Sequence, residues 1–134
     1  ALNLKHPDAQ AALHKLVETA DVFLTNSPLK VQNACGHTYE MIRKVNPKIV
    51  YAWINGFGLK GPDKDLPGFD MTAWYARCGI AEEFRPKDGD PVPQPVGVGD
   101  TMTATSLFGA VMTGLFHRQR TGEGVIDPLK KTSE

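Results

Sequence analysis

A chain of 134 residues is long enough to bury a real core and short enough to be one domain, so a single domain over residues 1–134 is the expectation. Its fifteen basic and fifteen acidic side chains cancel. With no Lys/Arg block to follow phosphates, neither nucleic acid nor anionic membrane is expected as a partner.

The first element is a helix. Pro7 and Asp8 suit a helix start, and Leu13, Leu16, Val17 and Ala20 recur on one face of it. Val22, Phe23 and Leu24 then form a short strand, stopped by Asn26-Ser27-Pro28. A helical stretch follows, with Thr38 as the cap before Met41, Ile42 and Val45, and it ends at Asn46 because the residue before a proline disfavours helical backbone. Residues 49–54 are a nearly continuous apolar run, as a parallel strand covered on both faces requires. Strand, helical crossover and strand make a βαβ unit, expected to be right-handed. The predicted fold class is therefore α/β, a Rossmann-like parallel sheet with flanking helices.

Residues 58–99 are dense in Gly and Pro, with one short helix expected over 70–79 and a solvated turn over 85–91. The last helix is predicted over 101–120. Leu107, Val111 and Leu115 form one apolar stripe and Phe108, Met112 and Phe116 the adjacent one, so this helix is expected to be well buried. His117, Arg118 and Arg120 suit the negative end of its dipole, and Gly122 is a natural residue just past its end. No apolar run approaches the ~20 residues that a membrane helix needs, and no charged-then-apolar leader opens the sequence, so a soluble cytoplasmic protein is expected. Cys35 and Cys78 are too few for a disulfide framework and read as buried or semi-buried thiols. The four histidines lack paired ligand spacing, so no metal is expected.

Four short elements in the second half follow one another in order: Ile54-Asn55-Gly56-Phe57-Gly58, Pro67-Gly68-Phe69-Asp70, Gly99-Asp100 and Arg120-Thr121-Gly122-Glu123-Gly124. Each has a local reading as a turn or a cap. Their order and spacing, after a run like Asp21-Val22-Phe23-Leu24-Thr25-Asn26, resemble the core of the family III CoA-transferases (the CaiB/BaiF and formyl-CoA transferase group) over residues from about Leu2 to Ile126. The resemblance implies part of the large domain of such an enzyme, with coenzyme A or an acyl-CoA as substrate.

On residue type alone Asp100 is a preferred helix N-cap. The resemblance gives it a second role, as the nucleophilic aspartate that opens the helix ending in Arg-Thr-Gly-x-Gly. A carboxylate with an ordinary pKa of about 3.9 is already ionised at neutral pH and needs no base to attack a thioester. The same resemblance assigns Asn26 to the nucleotide, beyond the carboxyl end of the first strand, and places Gly56, Phe57, Gly58, Phe69 and Asp70 around CoA. Ser27 and Asn33 depart from the aromatic and the arginine that family members carry there. The racemase branch of the superfamily has a catalytic histidine immediately before the aspartate matched by Asp70. Here that residue is Phe69, which argues against a racemase. The stretch from Gly68 to Gly79 is similar to the 2-hydroxyacid and aryl-lactate transferases.

The family's glycine-rich loop and its opening CoA-contacting segment have no counterpart in these residues, and the polar stretch from Val125 to Glu134 reads as a terminus. The expectation is a truncated homologue, inactive alone, that moves CoA between carboxylic acids only with the missing segments supplied by a second polypeptide. The alternative is a non-catalytic oligomeric or ligand-binding module that retains the fold. Full-length members form interlocked dimers, so a homodimer or higher oligomer is expected in either case.

Overall fold

The computed structural model describes residues 2–126. Helix α1 (Pro7–Val17) opens with Pro7 as its first residue and with the Asp8 backbone N–H bonded to the His6 side chain. Strand β1 (Val22–Thr25) follows, then α2 (Leu29–Ala34), α3 (Tyr39–Val45) and strand β2 (Val50–Trp53). The Thr38 hydroxyl accepts from the Met41 N–H at 3.4 Å, so the expected cap is present, and α3 stops at Asn46 before Pro47. A short α4 (Ile80–Glu83), the long α5 (Val98–Thr121) and β3 (Val125–Ile126) complete the order.

The sheet has the order β1-β2-β3 and both pairings are parallel, with Val22 opposite Val50 and Val50 opposite Val125. The α/β expectation is met, including the two adjacent parallel strands joined by a helical crossover. The polar end read as a terminus begins with β3, and Asp127 to Glu134 lie outside the described residues. The short helix expected over 70–79 is present as a π-helix over Asp70–Ala76, and α4, which the sequence reading did not anticipate, follows it.

The described residues pack as two compact units, residues 2–54 with 107–126, and Asn55–Ser106. In the first, Val17, Ile42, Ile49 and Tyr51 form a fully enclosed core, with Leu13, Phe23, Val45 and Trp53 packed around it. Alternation along β2 turns Tyr51 towards α1 and α3 and Val50 to the opposite face. There Gly114 of α5 lies so close that a β-carbon would stand 2.8 Å from Val50 Cγ1. Both faces of β2 are covered, which is why its sequence is continuously apolar.

A polar cluster sits inside this core. The Tyr51 hydroxyl lies 2.9 Å from Gln32 Oε1 and 2.8 Å from the His37 carbonyl oxygen, while Gln32 Nε2 donates to the Ser27 carbonyl at 2.8 Å. Burial pushes the Tyr51 phenol well above its ordinary pKa, with the Glu40 charge adding in the same direction.

Helix α5 is not well buried, contrary to the apolar pattern. Gly99, Ala110 and Gly114 are its enclosed residues, Leu107, Val111 and Leu115 are half-buried, and the stripe of Phe108, Met112 and Phe116 faces outward. A sheet of three short strands covers one stripe of small residues and leaves the adjacent aromatic stripe without a surface to pack on. The end of the helix matches the reading. Gly122 adopts φ +76° and its N–H bonds to the Arg118 carbonyl at 2.8 Å. Arg118 reaches back to Asp21 Oδ1 at 2.8 Å. Cys35 is buried, but Cys78 is exposed, which corrects its reading as enclosed.

Candidate active site

Three of the four motif elements meet within the unit Asn55–Ser106, and glycine is the reason they can. A β-carbon on Gly68 would stand 2.6 Å from Gly56 Cα and 2.7 Å from Gly56 N, so the two backbones touch at a distance open only to paired glycines. This contact joins the loop after β2 to the segment that leads into Phe69 and Asp70. Gly58 turns the loop with φ +79° while its N–H donates to Asn55 Oδ1 at 2.6 Å. Arg77 holds the loop from the side, its guanidinium 5.9 Å from the Phe57 ring centroid and 2.5 Å from Asp63 Oδ2.

The π-helix begins after Phe69, which is 68 % exposed. Its wider winding is visible in the Arg77 N–H bonding to the Thr72 carbonyl five residues back, a geometry that recurs at functional sites. Asp70, at its first position, uses both carboxylate oxygens. Oδ2 accepts from the Gly97 N–H at 2.8 Å and from Gln94 Nε2 at 3.3 Å, and Oδ1 accepts from the Asp100 N–H at 3.2 Å. One carboxylate thereby satisfies two backbone donors at the start of α5, which the helix itself leaves unpaired.

Gly99 explains the Gly-Asp pair. A β-carbon at 99 would collide with the Trp74 ring and with Asp70 Oδ1, so only glycine lets the carboxylate come this close. Asp100 itself is exposed in the first turn of α5, at the positive end of the helix dipole, where a carboxylate is favoured. Its reading as N-cap is corrected. The Gly97 carbonyl accepts the first helical bond, from the Thr101 N–H at 3.0 Å, and α5 starts at Val98, ahead of the expected residue 101.

Asn26 stands exposed immediately past the carboxyl end of β1, in the other compact unit. The candidate residues thus divide, with Gly56, Phe57, Gly58, Phe69, Asp70 and Asp100 in one unit and Asn26 in the other. The sequence reading missed Gln94, Gly97 and Trp74 as members of the cluster. The spacing of Gly97, Gly99 and Asp100 was a signal of close backbone approach; nothing in the sequence identified Asp70 as the group approaching.

The chain matches the model of CoA-transferase family III over residues 1–127. It is 39 % identical over 123 residues to a cinnamoyl-CoA:phenyllactate CoA-transferase of Clostridium sporogenes, a match that covers 92 % of this chain and 30 % of that protein. It is 34 % identical over 124 residues to an (R)-2-hydroxy-4-methylpentanoate CoA-transferase of Clostridioides difficile, covering 92 % and 31 %. The chain therefore spans less than a third of the length of these curated relatives. Among solved structures, a CAIB/BAIF family protein from Brucella suis superimposes with a TM-score of 0.80 at 28 % identity, over 93 % of this chain and 33 % of that one. By its sequence match over nearly its whole length, its parallel sheet and its motif order, this chain belongs to CoA-transferase family III.

Proposed function

We propose that this chain carries the nucleophile-bearing part of a transferase that moves CoA between carboxylic acids, with Asp100 as the nucleophile. The observation that supports this most is the exposed carboxylate in the first turn of α5, on a backbone N–H held by Asp70. In the reaction, a carboxylate oxygen of Asp100 adds to the thioester carbonyl of an acyl-CoA. The C–S bond then breaks to leave an aspartyl mixed anhydride and CoA thiolate. The thiolate attacks the aspartyl carbonyl of that anhydride, releasing the donor acid and leaving an aspartyl-CoA thioester. The acceptor acid repeats the sequence in reverse, so no net redox change or metal is involved. Gly56, Phe57, Gly58 and Phe69 would border the acyl-CoA, and Asn26 would meet its nucleotide. The names of the two clostridial relatives favour 2-hydroxy acids as the acids exchanged.

Turnover by these 134 residues alone is expected to be low. The loss of a single oxyanion donor typically costs about 10²–10³ in rate, and the relatives work with about three times this length. The outward stripe of Phe108, Met112 and Phe116 favours assembly, either as a homodimer or higher oligomer or with a second polypeptide that completes the site. It is also the observation that favours the other reading, a non-catalytic module that assembles through the retained fold. Two measurements separate the readings. Mass spectrometry of the protein incubated with 2-hydroxyacyl-CoA should detect CoA or the acyl group on Asp100, with the signal absent in Asp100→Ala. Absence of any adduct on the native protein, at millimolar donor and with light scattering reporting an oligomer, would favour the module.

A further inference from the structure

We infer that Asp70 is a positioning residue, which fixes the start of α5 and with it the carbonyl-facing geometry of Asp100, and that it is not a ligand for CoA. The inference rests on the reading of Asp100 as nucleophile only for its chemical consequence; the tether stands on contacts within one compact unit. Asp70 accepts three hydrogen bonds from the segment 94–100, two at Oδ2 and one at Oδ1, so most of its acceptor capacity is spent on the start of α5. These are charge-assisted bonds, two of them from backbone N–H groups, and stronger than neutral ones. The fit is closed from the other side by Gly99, whose missing side chain leaves room for Asp70 Oδ1 and the Trp74 ring together. The π-helix places Asp70 there, since it begins at this residue, one residue beyond Gly68-Phe69, where the Gly68 backbone touches Gly56. A negative group held at a helix start also stabilises the dipole end on which Asp100 stands.

The test is amide hydrogen exchange on the full chain, read residue by residue, with no CoA present. Asp70→Ala should speed exchange at Gly97 and Asp100 roughly 10- to 100-fold while leaving Val50 and Tyr51 unchanged. Asp70→Asn keeps one acceptor oxygen and should restore protection at one of the two amides and not at both, a pattern that a generally loosened unit would not give. Should Asp70→Ala fail to fold, Gly99→Ala displaces the same carboxylate without removing its charge and should produce the same local loss. Unchanged exchange at Asp100 in these variants, or an equal rise at Val50 and Tyr51, overturns the tether. A second arm follows single-turnover labelling of Asp100 by 2-hydroxyacyl-CoA. The labelling rate at saturation should fall about 10-fold or more in Asp70→Asn while the half-saturating concentration stays put. A rise in that concentration at an unchanged rate would instead make Asp70 a CoA ligand. If the native protein gives no label, the transferase reading fails, and the exchange arm still decides the tether.

Discussion

The two compact units are held together by different physics. In the unit built on the sheet, apolar side chains do the work: Ile42, Ile49 and Tyr51 have no exposed surface, and the Tyr51 hydroxyl is paired inside the core with Gln32 and the His37 carbonyl. In Asn55–Ser106, Tyr75 and Gly99 are the buried residues, and order comes from paired glycines, a shared carboxylate and an Arg-Asp clamp. The difference teaches where a reactive carboxylate can be placed. An enclosed apolar core would desolvate it at large cost, whereas a polar scaffold holds its backbone and leaves the carboxylate in contact with solvent. Each unit contains one tryptophan, Trp53 in the first and Trp74 in the second, so the two can be followed separately in variants that keep one of them.

The sharpest way to break the contrast is to empty the core. Tyr51→Ala removes a fully enclosed ring and strands the Gln32 and His37 acceptors, and it is expected to destabilise the sheet unit by about 3–5 kcal/mol in urea denaturation read through Trp53. A loss below about 1 kcal/mol would mean that this core is not what holds the unit.

A smaller effect is expected where the second unit depends on close approach. Gly99→Ala forces a methyl group into Trp74 and Asp70 and should cost about 1–3 kcal/mol in the transition read through Trp74, with the Trp53 transition unmoved. Equal shifts in both signals would show that the units do not differ in the way described.

Alkaline pH probes the buried phenol. The folded-state pKa of Tyr51 is raised above that of the unfolded chain, so above about pH 10 the unfolded state releases a proton that the folded state keeps. Stability conferred by the neutral phenol is complete below pH 10 and should then decline by about 1.4 kcal/mol per pH unit until the raised pKa is reached. Tyr51→Phe should flatten that decline, at an expense of about 1–3 kcal/mol near neutral pH for the acceptors left unpaired. An identical alkaline profile in the variant would rule Tyr51 out as its source.

The smallest effect on stability belongs to the residue proposed to carry the chemistry. Asp100→Ala removes an exposed carboxylate from the first turn of α5 and should change stability by no more than about 1 kcal/mol, while abolishing any covalent adduct at that position. A drop of several kcal/mol would recast Asp100 as a structural group.

The amino-acid sequence by itself determined the parallel strand pair, the Thr38 and Asn46 limits of α3, the glycine at the end of α5 and the order of motifs that marks the family. All of these are local or periodic signals: a strand covered on both faces must be continuously apolar, and a helix end must satisfy its own backbone groups within a few residues. Tertiary structure alone decided three things. It turned Phe108, Met112 and Phe116 outward, because periodicity defines an apolar face without saying whether a surface exists to cover it. It recruited Val125 and Ile126 into the sheet, because two residues carry no strand signal until β2 offers them hydrogen bonds. It brought Asp70 to the start of α5, because a contact across thirty positions depends on how the chain between them turns, and that turning is set by glycines whose use is to have no side chain at all.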